Sequence, residues 1–116
     1  MLPQSEHRSA IVNEVAKWPI DGMEGKEGRI LTVEIPPGDH APVHRHPGWQ
    51  FVYVLEGKVV HQMEGEEARE YEPSQVWYEA RDHLHQNIGN PSPDTWTKLL
   101  VFYLTEPGQP VLVLEE

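Results

Sequence analysis

The sequence predicts an all-β fold, a sandwich or small barrel of about eight to ten short strands. Two observations lead to this prediction. Proline (11) and glycine (9) are frequent among the 116 residues, which indicates many turns between short elements. Between these turns apolar and polar residues alternate, while no stretch shows the 3.6-residue period of an amphipathic helix.

The turn residues and the alternation place the individual strands. Residues 1–10 are polar and predict a tail that is mobile or packed on a partner, and residues 11–17 have some strand character before Pro19. Arg29–Ile35 alternates clearly and ends at Pro36. A tight turn at Glu56-Gly57 predicts a hairpin. The further predicted strands cover residues 50–55, 58–63, 68–72, 75–79, 95–104 and 111–114.

Composition limits the possible functions. A chain of this length predicts one domain over residues 1–116, with its core over about residues 28–114. The net charge of −10 argues against a nucleic acid or an anionic membrane as partner. Cysteine is absent, so any metal must be held by histidine nitrogen and by oxygen ligands. The start of the chain lacks an apolar signal core and no apolar run approaches ~20 residues, which predicts a cytoplasmic protein.

Gly38–Gly57 carries the main candidate site. His44 and His46 are two residues apart, so in an extended chain they lie on the same face. A strand that returns at Gln50 can bring a third ligand beside them. Imidazole is the commonest side-chain ligand for divalent transition metals, but a pair of histidines alone fits equally well with rings that neighbouring groups satisfy.

The spacing of this stretch resembles the first motif of the cupin superfamily, usually written G-x5-H-x-H-x3,4-E-x6-G. Gly38 is followed by five residues, His44, one residue, His46, three residues, Gln50, six residues and Gly57. Every interval fits, and only the glutamate is replaced, by Gln50.

A second stretch resembles the second cupin motif, G-x5-P-x-G-x2-H-x3-N, in part. His83 and Asn87 have the right interval, but Glu72, Tyr78 and Ala80 stand where the motif has glycine, proline and glycine. The resemblance covers about residues 30–104 and implies a small single-domain cupin of the cupin 2 type. Its fold would be a double-stranded β-helix, or jelly-roll barrel.

The resemblance also implies a metal site inside the barrel. It assigns His44, His46 and His83 as ligands of one divalent transition metal ion, with Gln50 in the fourth position. The donors do not distinguish Fe, Mn, Ni, Zn and Cu. A neutral Gln50 would leave the ion more positive than a glutamate would. Two alternatives are that Gln50 only forms hydrogen bonds while three histidines hold the ion, and that the pocket holds no metal.

Several other residues are candidates for the pocket wall. His85 shares a face with His83 and Asn87 by the two-residue period, but it fits a solvent-facing position equally well. Glu79 and Trp77 are expected to serve core packing, and His61 is predicted on an outer strand and not as a ligand. The residues predicted to be able to line the pocket are His85, Asn87, Tyr78 and Trp49.

The function implied by the resemblance is a metal-dependent enzyme that acts on a small molecule, with dioxygenase-type oxidation as the first hypothesis. A sugar- or uronate-type isomerase or lyase, and a non-catalytic module that binds a small ligand, are the alternatives. The sequence does not identify catalytic residues, because fold does not fix function. The strand at Phe51, Tyr53 and Leu55 is apolar on both faces, which predicts a homodimer.

Overall fold

The computed structural model describes residues 10–111 and the backbone of residues 113–114. The tail predicted over residues 1–10 therefore lies outside the described residues, except for Ala10. Every element in the described ranges is a β-strand, and no helix there is long and apolar enough to cross a membrane. In chain order the strands are β1 Ile11–Pro19, β2 Glu27–Ile35, β3 His44–Arg45, β4 Trp49–Glu56, β5 Val59–Met63, β6 Arg69–Tyr71, β7 Val76–Glu79, β8 Leu84–Gly89, β9 Thr97–Thr105 and β10 Val113–Leu114.

The strands form two five-stranded antiparallel sheets. The first has the order β1-β2-β9-β4-β7 and the second the order β10-β3-β8-β5-β6. Neighbours in each sheet are mostly distant in sequence, as when β9 lies between β2 and β4. The all-β prediction is confirmed, and the strand predicted at residues 29–35 extends two residues further toward the N-terminus. The predicted hairpin at Glu56-Gly57 is wrong, because β4 and β5 belong to different sheets.

Alternation along the central strands separates an inner from an outer face. In β4, Gln50, Val52 and Val54 are buried while Phe51 and Tyr53 are exposed. Strand β9 follows the same pattern, because its odd-numbered residues from 97 to 105 are all buried. Burial of this one apolar face against the other sheet is the main stabilising contribution to the fold. The buried apolar core consists of Leu31, Ile35, Val52, Val54, Val59, Trp77, Leu99, Val101 and Tyr103.

The outer face of the first sheet is also apolar and is exposed. Phe51 lies at the centre of it, with ring centroids 5.2 Å from Tyr78 and 6.1 Å from Phe102. The predicted position of Tyr78 in the pocket wall is therefore wrong: it is 52% exposed on the opposite side of the sheet, because Trp77 and Glu79 point inward. We call this surface the outer apolar face; its residues are Phe51, Tyr53, Val76, Tyr78, Leu100 and Phe102.

Candidate metal centre

Two histidines of the first motif meet inside the barrel. His44 and His46 are buried, and their Nε2 atoms lie 3.1 Å apart. The rings stand edge to face at an interplanar angle of 89°. His44 is held in place because the short strand β3 pairs with both β8 and β10. The prediction that both side chains share one face is confirmed by this contact.

Backbone carbonyls determine the tautomers of both rings. His44 Nδ1 lies 2.6 Å from the Pro42 oxygen, and His46 Nδ1 lies 2.7 Å from the Val111 oxygen. A carbonyl oxygen can only accept, so each Nδ1 carries the proton and each Nε2 presents a lone pair. Burial lowers the pKa of His44 to about 4 and also lowers the pKa of His46, so both rings are neutral near pH 7. Two lone pairs 3.1 Å apart, with no proton between them, form a site for a cation.

His85 brings a third imidazole to this pair. It is buried on β8 opposite His44, and the two ring centroids are 4.8 Å apart. Both of its ring nitrogens are buried without a hydrogen-bond partner. One nitrogen from each of His44, His46 and His85 lies within 4.8 Å of the others, a grouping that could hold a metal ion. Unsatisfied buried nitrogens are costly, and coordination would satisfy them.

The structure brings His85, and not the predicted His83, to His44 and His46. His83 precedes β8, next to Asp82, whose φ of 61° places it in a turn. His83 is not in the described group of ligating side chains around His44 and His46, and its Nε2 lies 3.1 Å from the backbone oxygen of Glu64.

A bulge explains why Asn87 does not line the pocket. On β8, Asn87 pairs with Gln62 while His85 pairs with Met63, so Gln86 is an extra residue. The bulge breaks the two-residue period, and Ile88 instead of Asn87 joins His85 in the cavity wall. The predicted lining by Asn87 is therefore wrong.

Trp49 does not line the pocket either. It is half-buried at the start of β4, and the guanidinium of Arg81 lies 5.2 Å from the centroid of its ring. It is absent from the residues of the described chain that surround the cavity. As the first residue of its strand, it precedes the inward-facing Gln50 and so takes the other orientation.

A buried carboxylate, Glu79, lies next to the three histidines, with its Oε1 3.7 Å from His46 Nε2. Its Oε2 accepts a hydrogen bond from Trp77 Nε1 at 2.7 Å, and its Oε1 accepts one from Gln50 Nε2 at 3.1 Å. His85 Nδ1 is 3.3 Å from Oε1, and His61 Nε2 is 3.5 Å from Oε2. Burial by itself raises the pKa of Glu79, but the flanking His61 and His85 outweigh it and hold that pKa well below its usual range. Glu79 is therefore ionised at neutral pH.

Gln50 was predicted either to bind the ion or to form only hydrogen bonds, and the structure shows that it forms a hydrogen bond. It pairs with Glu79 across the β4–β7 ladder, and its amide nitrogen donates to the carboxylate. The ionised carboxylate only accepts, so the nitrogen end of the amide must face it. Gln50 also contributes to the cavity wall beside the histidines.

His61 and Glu79 are the site residues that sequence reasoning missed. His61 is buried on β5, stacked on Trp77 with ring centroids 4.2 Å apart. Its Nε2 has no hydrogen-bond partner, and His61, Glu79 and His85 form a second group that could hold a metal ion. The signal was present in the alternation, because Val59, His61 and Met63 share the buried face of β5.

The cavity in front of the histidines is polar at one end and apolar along its walls. Its empty volume, including the open mouth, is about 650 Å³. Its polar residues are Asp39 and the group formed by His44, His46, His85, Gln50 and Glu79. The walls come from both sheets and from Ala10; their apolar residues are Ala10, Val12, Leu31, Val33, Ile35, Ala41, Val52, Trp77, Ile88, Leu99, Val101 and Val111.

With this geometry established, comparison with known proteins assigns the family. The family model of the cupin domain, Cupin_2, matches residues 31–103, which is more than half of the chain. The chain belongs to the cupin domain family. The buried His/Glu cluster of this cupin lies where the predicted first motif brings its histidines together, and it could bind a metal ion. A search of curated proteins finds no match.

Solved structures share the fold of this cupin. DMSP lyase DddQ from Ruegeria pomeroyi has a TM-score of 0.75 at 20% identity, over 97% of this chain and 55% of that one, so this cupin spans about half its length. A cupin-like protein from Thermotoga maritima has a TM-score of 0.69 at 22% identity, over 91% and 75% of the two chains. An uncharacterized conserved protein with a double-stranded β-helix domain from Klebsiella pneumoniae has a TM-score of 0.68 at 16% identity, over 100% and 96%. The predicted double-stranded β-helix is confirmed.

The backbone also shows how the second cupin motif aligns with this chain. Ser74 and Asp82, eight residues apart like the two glycines of that motif, have φ values of 78° and 61°. This left-handed conformation is the one that favours glycine, and small polar residues adopt it in turns. The motif histidine stands three residues after the second glycine, which makes it His85. The bulge then moves the motif asparagine one place further, to Asn90, whose buried amide donates to the backbone oxygens of Ile35 and Thr95.

Proposed function

We propose that this cupin binds one divalent transition metal ion and uses it to transform a small molecule with an apolar body, by dioxygenase-type oxidation. The observation that carries the proposal is the pair of Nε2 atoms of His44 and His46, 3.1 Å apart with both Nδ1 atoms facing carbonyl oxygens. His85 supplies a third nitrogen to the same point. A bound ion would supply open coordination positions for the substrate and O2.

The residues of the chain would prepare this site in three ways. The carbonyls of Pro42 and Val111 keep the proton of each ring on Nδ1, so that His44 and His46 are ready to bind without losing a proton. The buried Glu79 adds one negative charge near the ion. Gln50 has its amide nitrogen on Glu79, which leaves its amide oxygen as the atom available to an ion. The apolar walls exclude water from the rest of the cavity.

The lining of the cavity favours an apolar substrate over a sugar acid. Among the described residues that surround it, none is lysine or arginine; besides Gln50 and the His/Glu cluster, Asp39 is the one polar residue, and the others are apolar. A uronate or a sugar phosphate would leave its hydroxyls without partners along the aliphatic walls. A sugar- or uronate-type isomerase is therefore the weaker alternative. A lyase reaction is the second candidate, since DddQ, a DMSP lyase, has the same fold at a TM-score of 0.75.

A ligand titration tests the proposed substrate class. Cobalt(II)-loaded protein should change its visible spectrum on addition of hexanoate, which combines a carboxylate for the ion with an aliphatic chain for the walls. Glucuronate has the same carboxylate but a hydroxylated body, and we expect it to require at least about ten times the concentration, because its hydroxyls would lose their water partners.

The same titration identifies the opposite result. A response to glucuronate at the same or lower concentration than hexanoate would contradict an apolar substrate and favour the sugar-type alternative. Turnover separates an enzyme from a binding module: a compound that is bound by the iron(II)-loaded protein under air and recovered unchanged would support a non-catalytic module. The metal-free protein is the control for both ligands.

We also propose that two copies of this cupin pair through the outer apolar face. Each chain carries a net charge of −10, so two copies repel unless the surfaces that meet are neutral. The outer apolar face contains no Asp, Glu, Lys or Arg, and Phe51 and Phe102 at its centre are 49% and 45% exposed. A two-fold interface needs such a self-complementary patch.

Charge placed on this face should separate the copies. Light scattering of the wild type should give twice the chain mass of 13.3 kDa, and Phe51→Glu should give 13.3 kDa, because two buried carboxylates would face each other. Trp96→Glu is the matched control, since Trp96 is an exposed aromatic residue outside the outer apolar face. A wild-type particle of 13.3 kDa at micromolar concentration would rule out this pairing.

A further inference from the structure

Each histidine of the candidate metal centre has an oxygen near its Nδ1 atom, but the oxygens differ in kind. His44 and His46 use backbone carbonyls at 2.6 and 2.7 Å. His85 Nδ1 instead lies 3.3 Å from Oε1 of Glu79 and has no aligned hydrogen bond in this arrangement. A small rotation of the ring would close this distance to a hydrogen bond.

We propose that Glu79 is a positioning residue that fixes the tautomer of His85. Its carboxylate accepts the Nδ1 proton of His85, and the Nε2 lone pair of His85 is thereby directed to the ion that His44 and His46 also bind. This inference rests on the proposed metal binding. It gives the three rings one common state, with the proton on Nδ1 and the lone pair on Nε2.

The neighbours of Glu79 allow it to act only as an acceptor toward His85. The indole of Trp77 is donor-only and occupies Oε2 at 2.7 Å. The amide nitrogen of Gln50 occupies one position on Oε1 at 3.1 Å. Oε1 also lies 3.3 Å from His85 Nδ1 and 3.7 Å from His46 Nε2. Because the Val111 carbonyl keeps the His46 proton on Nδ1, His85 is the ring of the two that can donate to Oε1. Both carboxylate oxygens already accept hydrogen bonds, so the position toward His85 is a further lone pair, and His85 must bring the proton.

The position of Glu79 also accounts for the glutamine in the first motif. Glu79 is the cross-strand partner of Gln50, and among the described residues it is the one buried carboxylate. The site therefore retains a negative charge, but on the neighbouring strand, beside His85 and His46. A second carboxylate at position 50 would lie beside the first, and two adjacent buried charges of like sign repel strongly. Gln50 instead donates to Glu79 and fixes its orientation.

Glu79→Gln is the decisive variant, because it preserves shape and removes the second acceptor. Trp77 must still donate, so the amide oxygen of the new side chain turns to the indole and its NH2 group turns to His85. His85 Nδ1 then has to accept, and its proton moves to Nε2, where it blocks the ion. We expect ¹⁵N NMR of the metal-free protein above neutral pH to show His85 protonated on Nδ1 in the wild type and on Nε2 in Glu79→Gln. Cobalt(II) affinity should fall about 10- to 100-fold.

A double variant and a surface control separate this effect from loss of charge or structure. In Trp77→Phe combined with Glu79→Gln, no indole competes for the amide oxygen, so the oxygen can return to His85 and the wild-type tautomer should reappear, with part of the cobalt affinity. Glu70→Gln removes the same charge from an exposed position on β6 and should change neither measurement.

The outcomes distinguish the inference from the proposed function. A wild-type His85 protonated on Nε2 overturns the inference without any variant. An unchanged His85 tautomer in Glu79→Gln also overturns the inference, whether or not cobalt affinity is retained. If cobalt affinity is lost and the visible spectrum changes while the tautomer stays the same, Glu79 is itself a ligand. If the wild-type protein binds no cobalt although its three histidines all carry the proton on Nδ1, the proposed function fails while the tautomer assignment stands.

Discussion

Replacing His85 by alanine should abolish metal binding by this cupin, whereas replacing His83 by alanine should leave one ion per chain. His85 is buried with both ring nitrogens unsatisfied beside His44 and His46, and its loss leaves two nitrogen ligands. We expect an affinity at least about a hundredfold weaker, larger than the effect of removing a residue that only supports a ligand. Elemental analysis after reconstitution with one first-row metal and removal of free ions measures the result.

His83→Ala is the matched control because it removes the same side chain two residues away. The His83 ring contacts the backbone oxygen of Glu64, and His83 is not among the described residues that line the cavity. Metal loss in His83→Ala with retention in His85→Ala would restore the alignment predicted from the sequence. Equally low metal in the wild type and in both variants after reconstitution would remove the basis of the metal proposal.

The fold could be predicted largely from local features of the sequence. Alternation in Arg29–Ile35 and in residues 50–55 places β2 and β4 to within two residues, because one face of each strand must be buried. The interval from Gly38 through His44 and His46 to Gly57 then assigned the family. The outer strand β1 was less clear, since almost all its residues are exposed and no buried face imposes a pattern.

The third histidine could not be placed from the sequence, because its position depends on two departures from regular structure. Asp82 adopts a left-handed conformation without being glycine, so the motif position that it fills is not visible in its residue type. The bulge at Gln86 then changes the interval from His85 to Asn90. Because the glycine is absent and the bulge lengthens the interval, His83 and Asn87 fit the written motif better than His85 and Asn90 do.

Glu79 and His61 were missed for a different reason. A buried glutamate is uncommon unless it has partners, and its partners here come from four strands. They are Gln50 on β4, Trp77 on β7 itself, His61 on β5 and His85 on β8. Strand pairing brings these residues together across 29 positions of sequence in the case of Gln50 and Glu79. No local pattern carries that information, so core packing was the more economical interpretation of each residue alone.

Gly57→Ala should destabilise this cupin by about 3 kcal/mol, and Gly65→Ala by about 1 kcal/mol, although both glycines lie in short connections between strands and have similar φ values. The φ values are 78° and 88°, so both substitutions carry the same left-handed penalty. A Cβ at Gly57 would also lie 2.6 Å from the backbone oxygen of Trp96 and 2.9 Å from Cα of Thr97, whereas a Cβ at Gly65 meets nothing within 4 Å. Urea denaturation measures both free energies of unfolding. Equal losses would mean that the left-handed conformation alone requires glycine at the end of the first motif. A larger loss at Gly57 would mean that the close approach of β9 also requires it. The same approach accompanies the register that places Gln50 opposite Tyr103 and Glu79.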